Sequence, residues 1–170
     1  VLDLGPMGIV VPHVDTAKEA LAMVQACRYP QLKGVPDYEP IGKRGVGYGW
    51  AARYWGLSGN EYGERADLWP LDSKGEIALW LMIETEEAVK NCLEIARTPG
   101  VGGLFLGPSD LAFSLGVPKR RRLPICMRLV TAVIGSTPSA WIAIMWGCTA
   151  CWKAVASSRI GATSRKAWLP

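Results

Sequence analysis

Residues 76–110, "EIALWLMIETEEAVKNCLEIARTPGVGGLFLGPSD", constrain the fold more than any other part of the chain. The run "EIALWLMI" is almost wholly apolar and reads as a strand buried on both faces. It ends on Glu84. Thr85 then N-caps a helix, "EEAVKNCLEIAR", whose Glu86 and Glu87 suit the positive end of the helix dipole. "TPGVGG" breaks that helix, and "LFLG" forms the next strand before Pro108 stops it. Two buried strands joined through a helix run parallel, which predicts a β/α architecture. In such sheets the C-terminal strand ends share one rim, where sites are built. Glu84 and Asp110, 26 residues apart, stand just past two consecutive strand ends. They are candidate ligands of a hard divalent cation, with waters and substrate oxygens completing an octahedron. A simpler reading makes Asp110 the cap of a helix starting at Leu111, and Glu84 the partner of a lysine.

Upstream, "GIVVPHV" (8–14) reads as a short strand stopped by Pro12. Thr16 and Glu19 have capping-box spacing, and Ala17, Ala20, Leu21, Val24 and Cys27 recur on one helical face. Residues 31–49 are rich in Gly and Pro and are expected to be loop; short helical pieces are expected around 58–67. His13, the one histidine of the chain, sits at a strand end and reads as a loop residue or a supporting group.

The net charge of +4 hides a segregation. All 15 acids and 10 of the 19 basic residues lie in 1–118, while 119–170 hold 9 basic residues and no acid. That divides the chain into a domain at 1–118 and a basic tail at 119–170. Five cysteines, an odd number, with no signal-like N-terminus argue for reduced thiols and a cytoplasmic location. The tail also lacks Asn, Gln, His, Phe and Tyr and carries four Trp, a composition expected of an out-of-frame or mis-spliced end. Its uncharged run 129–152 is long enough to span a bilayer, the competing reading. The lone CxxC of Cys148 and Cys151 and the short basic run at 119–122 are weak signals for zinc or nucleic acid.

The ordered set "LDLGPMGIVVPHVDTAKEALAMVQACRYP", "GKRGVGYG", "LMIETEEAVKN" and "GVGGLFLGPSDLAFSLG" resembles the HpcH/HpaI aldolases, over residues 1–118. The resemblance implies a (β/α)8 TIM barrel of the phosphoenolpyruvate/pyruvate-binding type. Here it would be partial, N-terminally truncated, and followed by a non-homologous tail. It implies a metal-dependent aldehyde-lyase that cleaves a 4-hydroxy-2-oxo acid or 2-keto-3-deoxy sugar acid to pyruvate and an aldehyde. Glu84 and Asp110 match the metal ligands, for Mg2+, Mn2+ or Co2+. Gly107, Pro108, Ser109 and Asp110 match the loop that receives the pyruvate carboxylate, and Asp3 matches an acid that supports the catalytic base. The family's general-base His and substrate-binding Arg are expected upstream of residue 1, so this chain is expected to be an inactive fragment. Met82 stands where many members carry Gln. The expected partner is a small 2-oxo acid, with no nucleic acid and no membrane, and intact relatives are expected to be homo-oligomers. A citramalyl- or malyl-CoA-type lyase and a membrane-tethered aldolase remnant are the alternatives.

Overall fold

The structure, a computed structural model, describes residues 1–35 and 38–116. At its centre is strand β3 (Ile77–Ile83), where Ile77, Leu79, Leu81 and Ile83 are buried and Ala78, Trp80 and Met82 are half-buried. The apolar run thus has one fully covered face rather than two. An unbroken apolar segment cannot reveal that difference, because both faces carry the same residue types.

Strand β1 (Gly8–Val11) pairs with one edge of β3 in parallel, from Gly8 opposite Ala78 to Val11 opposite Leu81. The other edge takes two parallel partners. Strand β2 (Leu68–Trp69) pairs with its start, and β4 (Gly103–Leu106) with its end, from Trp80 opposite Gly103 to Ile83 opposite Leu106. The parallel α/β sheet expected from the sequence is present; its four described strands do not by themselves close a barrel.

Helices α1 (Ala17–Cys27) and α4 (Glu86–Arg97) pack on β3 and on each other. The capping box of α1 forms as the spacing predicts, with Thr16 Oγ1 accepting from the Glu19 N–H and the Glu19 carboxylate accepting from the Thr16 N–H at 3.0 Å. Of its apolar stripe Ala20, Val24 and Cys27 are buried, while Leu21 is exposed. Thr85 caps α4, which buries Ala88, Val89, Cys92 and Ile95. Between α1 and β2 the chain forms a loop and two short helices, α2 (Gly49–Trp55) and α3 (Gly59–Arg65). Only α3 matches the helical piece expected there. Helix α5 (Pro108–Ser114) follows β4. The tail readings, namely the apolar run, the CxxC pair and the basic run, lie outside the described residues. Among those described, no helix is long and apolar enough to cross a membrane.

At the N-terminal end of the sheet the chain buries a charge pair. Arg28 is fully buried; its Nε donates to Asp67 Oδ1 at 2.7 Å and its Nη2 to Asp67 Oδ2 at 2.6 Å. Its Nη1 donates to the Pro40 carbonyl at 2.9 Å, and Gln31 Nε2 donates to Asp67 at 3.2 Å. One guanidinium thereby ties the end of α1, the long loop and the start of β2 together. Removing one member of such a pair strands the other charge in the core, which costs about 3–5 kcal/mol. Asp67→Ala is therefore expected to lower the urea or thermal unfolding midpoint far more than Asp72→Ala on the surface; equal shifts would show that the pair is dispensable.

A candidate active site at the C-terminal strand ends

Register decides which groups meet at the rim. Ile83 lies opposite Leu106, so Glu84 follows β3 beside Gly107 following β4, and the Gly107 N–H donates to the Ile83 carbonyl at 3.1 Å. A Cβ added at Gly107 would stand 2.5 Å from Glu84 Oε1 and 2.6 Å from its Cγ, so the Glu84 side chain lies directly on the glycine backbone. On the other side Val11 lies opposite Leu81, which brings the loop after β1 against the same carboxylate. The His13 N–H donates to Glu84 Oε2 at 3.0 Å, and His13 Nδ1 is 3.7 Å from that oxygen. Thr85 Oγ1 donates to Asp15 Oδ1, and Asn91 Nδ2 to the Asp15 carbonyl at 2.8 Å, pinning this loop to the start of α4.

Glu84 is 3% exposed, yet among the described residues no Lys or Arg pairs with it. A buried carboxylate with a backbone donor and no side-chain cation of its own is chemically suited to a hard metal ion. Asp110 is exposed and occupies the third position of α5, not its cap; the helix begins at Pro108, and Gly107 precedes it. It leaves β4 on the same rim as Glu84. No cluster of three or more His, Cys, Asp or Glu side chains arises among the described residues. Among the described residues the rim therefore offers two carboxylates, and a hard cation there would need further oxygen ligands from water or substrate. In the "GPSD" turn the Gly107 N–H is already used and Pro108 has none. The first-turn donors that remain are the N–H groups of Ser109 and Asp110.

Asp3 is not brought to this rim. It sits in a single 3-10 turn (Leu2–Leu4) ahead of β1, at the opposite end of the sheet, and accepts from Arg44 Nη2 at 2.8 Å. Arg44 also donates to the Tyr62 hydroxyl at 3.1 Å, and its guanidinium lies 4.4 Å from the centroid of the Tyr29 ring. Burial works against its charge, but the hydrogen bonds with Asp3 and Tyr62 hold its pKa above the usual arginine value. Burial likewise pushes the Tyr29 hydroxyl up to about 12, against the pull of Arg44. A cavity of about 650 Å3 opens at this end, lined by Asp3, Ala22, Ala26, Lys43, Arg44 and Gly47, none of them a rim residue. Sequence reasoning missed Arg28–Asp67 and the Arg44 cluster, because nothing in spacing marks pairs 39 and 41 residues apart. The proline before His13 was the one available sign that the chain bends there.

The HpcH/HpaI aldolase/citrate lyase family profile matches residues 1–145, further than the 1–118 over which the motifs are legible. The chain is 38% identical over 131 residues to a 2-keto-3-deoxy-L-rhamnonate aldolase of Klebsiella pneumoniae, covering 76% of this chain and 43% of that protein. A protein of the same name from Salmonella schwarzengrund is 35% identical over 135 residues, 79% of this chain and 44% of its own length. The chain thus spans less than half the length of these curated relatives. Among solved structures, an HpcH/HpaI aldolase/citrate lyase family protein from Burkholderia cenocepacia superposes with a TM-score of 0.65 at 28% identity, over 98% of this chain and 57% of that one.

The contact between Glu84 and Gly107 yields a steric prediction. Gly107 has φ −94° and ψ 83° and precedes Pro108, so Gly107→Ala tests the space beside Glu84 together with the restriction that a Cβ before proline brings. Overpacking of this kind costs about 1–3 kcal/mol. The thermal midpoint is expected to fall for Gly107→Ala, and to recover when Glu84→Ala is added; failure of the second change to recover it would mean that Glu84 does not lie on that glycine.

Proposed function

Since the chain belongs to the HpcH/HpaI aldolase/citrate lyase family, we propose that it carries the metal- and oxo-acid-binding part of an aldolase. The reaction is cleavage of a 2-keto-3-deoxy sugar acid, or a similar 4-hydroxy-2-oxo acid, to pyruvate and an aldehyde. The observation that carries this reading is the buried Glu84, without a lysine or arginine partner among the described residues, beside the turn that leads to Asp110. Names of the relatives favour a sugar acid as the substrate class. Closure of a full barrel and assembly into homo-oligomers belong to the same proposal.

Glu84 and Asp110 would hold the cation, Mg2+, Mn2+ or Co2+. When bound, it supplies Lewis-acid polarisation of the oxo-acid oxygens. The chain's own groups do the rest of what is proposed here. The free N–H groups of Ser109 and Asp110 receive the substrate carboxylate at the start of α5. Met82 and Phe105, opposite each other in the register, are the half-buried apolar pair that precedes the strand ends. Asp3, the acid proposed to support the catalytic base, stands apart from Glu84 and Asp110 and accepts from Arg44.

The test is Mn2+ binding to the chain, read by electron paramagnetic resonance or calorimetry, beside pyruvate release from a 2-keto-3-deoxy sugar acid with Mn2+ added. Glu84→Gln and Asp110→Asn are each expected to weaken binding about tenfold or more, the scale of losing a group that holds a metal. Equal Mn2+ affinity in both variants and the parent would remove these carboxylates from the site.

A further inference from the structure

We infer that His13 is the positioning residue for Glu84, and that it acts through its backbone conformation, not its imidazole. The inference deepens the metal-binding reading and rests on it. Among the described residues His13 is the only non-glycine with a positive φ, +54°. That left-handed conformation is uncommon outside glycine and is disfavoured most by β-branched side chains; asparagine and histidine tolerate it better. Such outliers persist only where surrounding contacts hold them, and they gather at functional sites.

The contacts that hold this one are visible. Pro12 ends β1, whose last pair is Val11 opposite Leu81. The bend at His13 then turns the chain away from the ladder, so Val14 returns to the core at 2% exposure and the His13 N–H is left for Glu84 Oε2 at 3.0 Å. Asp15, next along, is fastened to Thr85 and Asn91. The other oxygen of Glu84 lies against Gly107. One carboxylate oxygen is therefore held by a main-chain donor, and the other lies over the glycine, where no Cβ obstructs it. The imidazole does not share in this. Its Nδ1 is 3.7 Å from Glu84 Oε2, beyond hydrogen-bond distance, and the side chain is 67% exposed.

What position 13 must keep is tolerance of a positive φ, not a titratable ring. Among His13→Gly, His13→Asn and His13→Val in the full chain, the glycine and asparagine variants are expected to bind Mn2+ within about threefold of the parent. The valine variant is expected to bind 10–100-fold more weakly, the usual effect of losing a group that orients a metal ligand. Loss of affinity in the glycine and asparagine variants as large as in valine would assign the role to the imidazole and overturn the inference, as would parent-like binding by the valine variant.

A metal-free measurement covers the case in which the valine variant fails to fold or the parent binds no Mn2+. Amide hydrogen exchange at His13 is expected to be slow in the parent and at least tenfold faster in Glu84→Ala, with neighbouring β1 amides unchanged. Fast exchange at His13 in the parent would overturn the positioning role itself. Absence of Mn2+ binding with a protected His13 amide would overturn the metal reading and leave the positioning of Glu84 standing.

Discussion

Parallel pairing on both edges of β3 decides where every group of the rim can stand. Because side chains alternate along a strand, Glu84 continues the face of Ala78, Trp80 and Met82, not the buried face of Leu81 and Ile83. Because the strands are parallel, the loops leaving β1, β3 and β4 all emerge at one end. Three loops that are distant in sequence thereby bring His13, Glu84 and Gly107 into contact. A shift of one residue in either register would turn Glu84 away from the glycine or the histidine amide.

The two ends of this sheet do different work. At the N-terminal end the chain pairs its charges: Asp67 receives a bidentate guanidinium from Arg28, and Arg44 is held between Asp3 and two tyrosine rings, although its Nε and Nη1 find no acceptor among the described residues. The Arg28 contacts tie the long loop to α1 and to β2. At the C-terminal end the hydrogen bonds come mostly from main chain, and acidic groups outnumber basic ones. That division is the one expected of a parallel β/α protein, where stability and chemistry are set at opposite ends of the strands.

What the sequence disclosed, and what it hid, follows from the range of the interactions. The strand ends at Glu84 and Gly107, the capping box of Thr16 and Glu19, and the cap at Thr85 are local, and each is legible within a few residues. The parallel sheet follows from two buried strands separated by a helix. Which face of β3 is covered was not legible, since Ala78, Trp80 and Met82 are as apolar as their neighbours. Nor was the partner of Asp3. Asp3 precedes β1, and Arg44, 41 residues on, takes it. The simpler reading, in which Asp110 caps a helix starting at Leu111, sets the helix start one turn too late, because Pro108 is itself an excellent first helical residue. The break in composition after Pro118 is real as composition, yet the family match continues to residue 145.

Two buried acids in one chain show what separates a structural carboxylate from one available for chemistry. Asp67 and Glu84 are both nearly inaccessible, at 7% and 3% exposure. Taking a carboxylate out of water is costly unless positive charge and hydrogen bonds replace the lost solvation. For Asp67 the chain supplies a planar guanidinium on both oxygens, a side-chain amide and the Leu68 N–H, so its bonding capacity is filled. For Glu84 the donor among the described residues is one backbone N–H, while the nearby imidazole is largely in water, where its attraction is weak. A second acid, Asp110, stands on the same rim and adds to the negative potential there. A buried carboxylate with one main-chain donor and no lysine or arginine beside it among the described residues is instead chemically suited to a hard divalent cation, the ligand proposed for it.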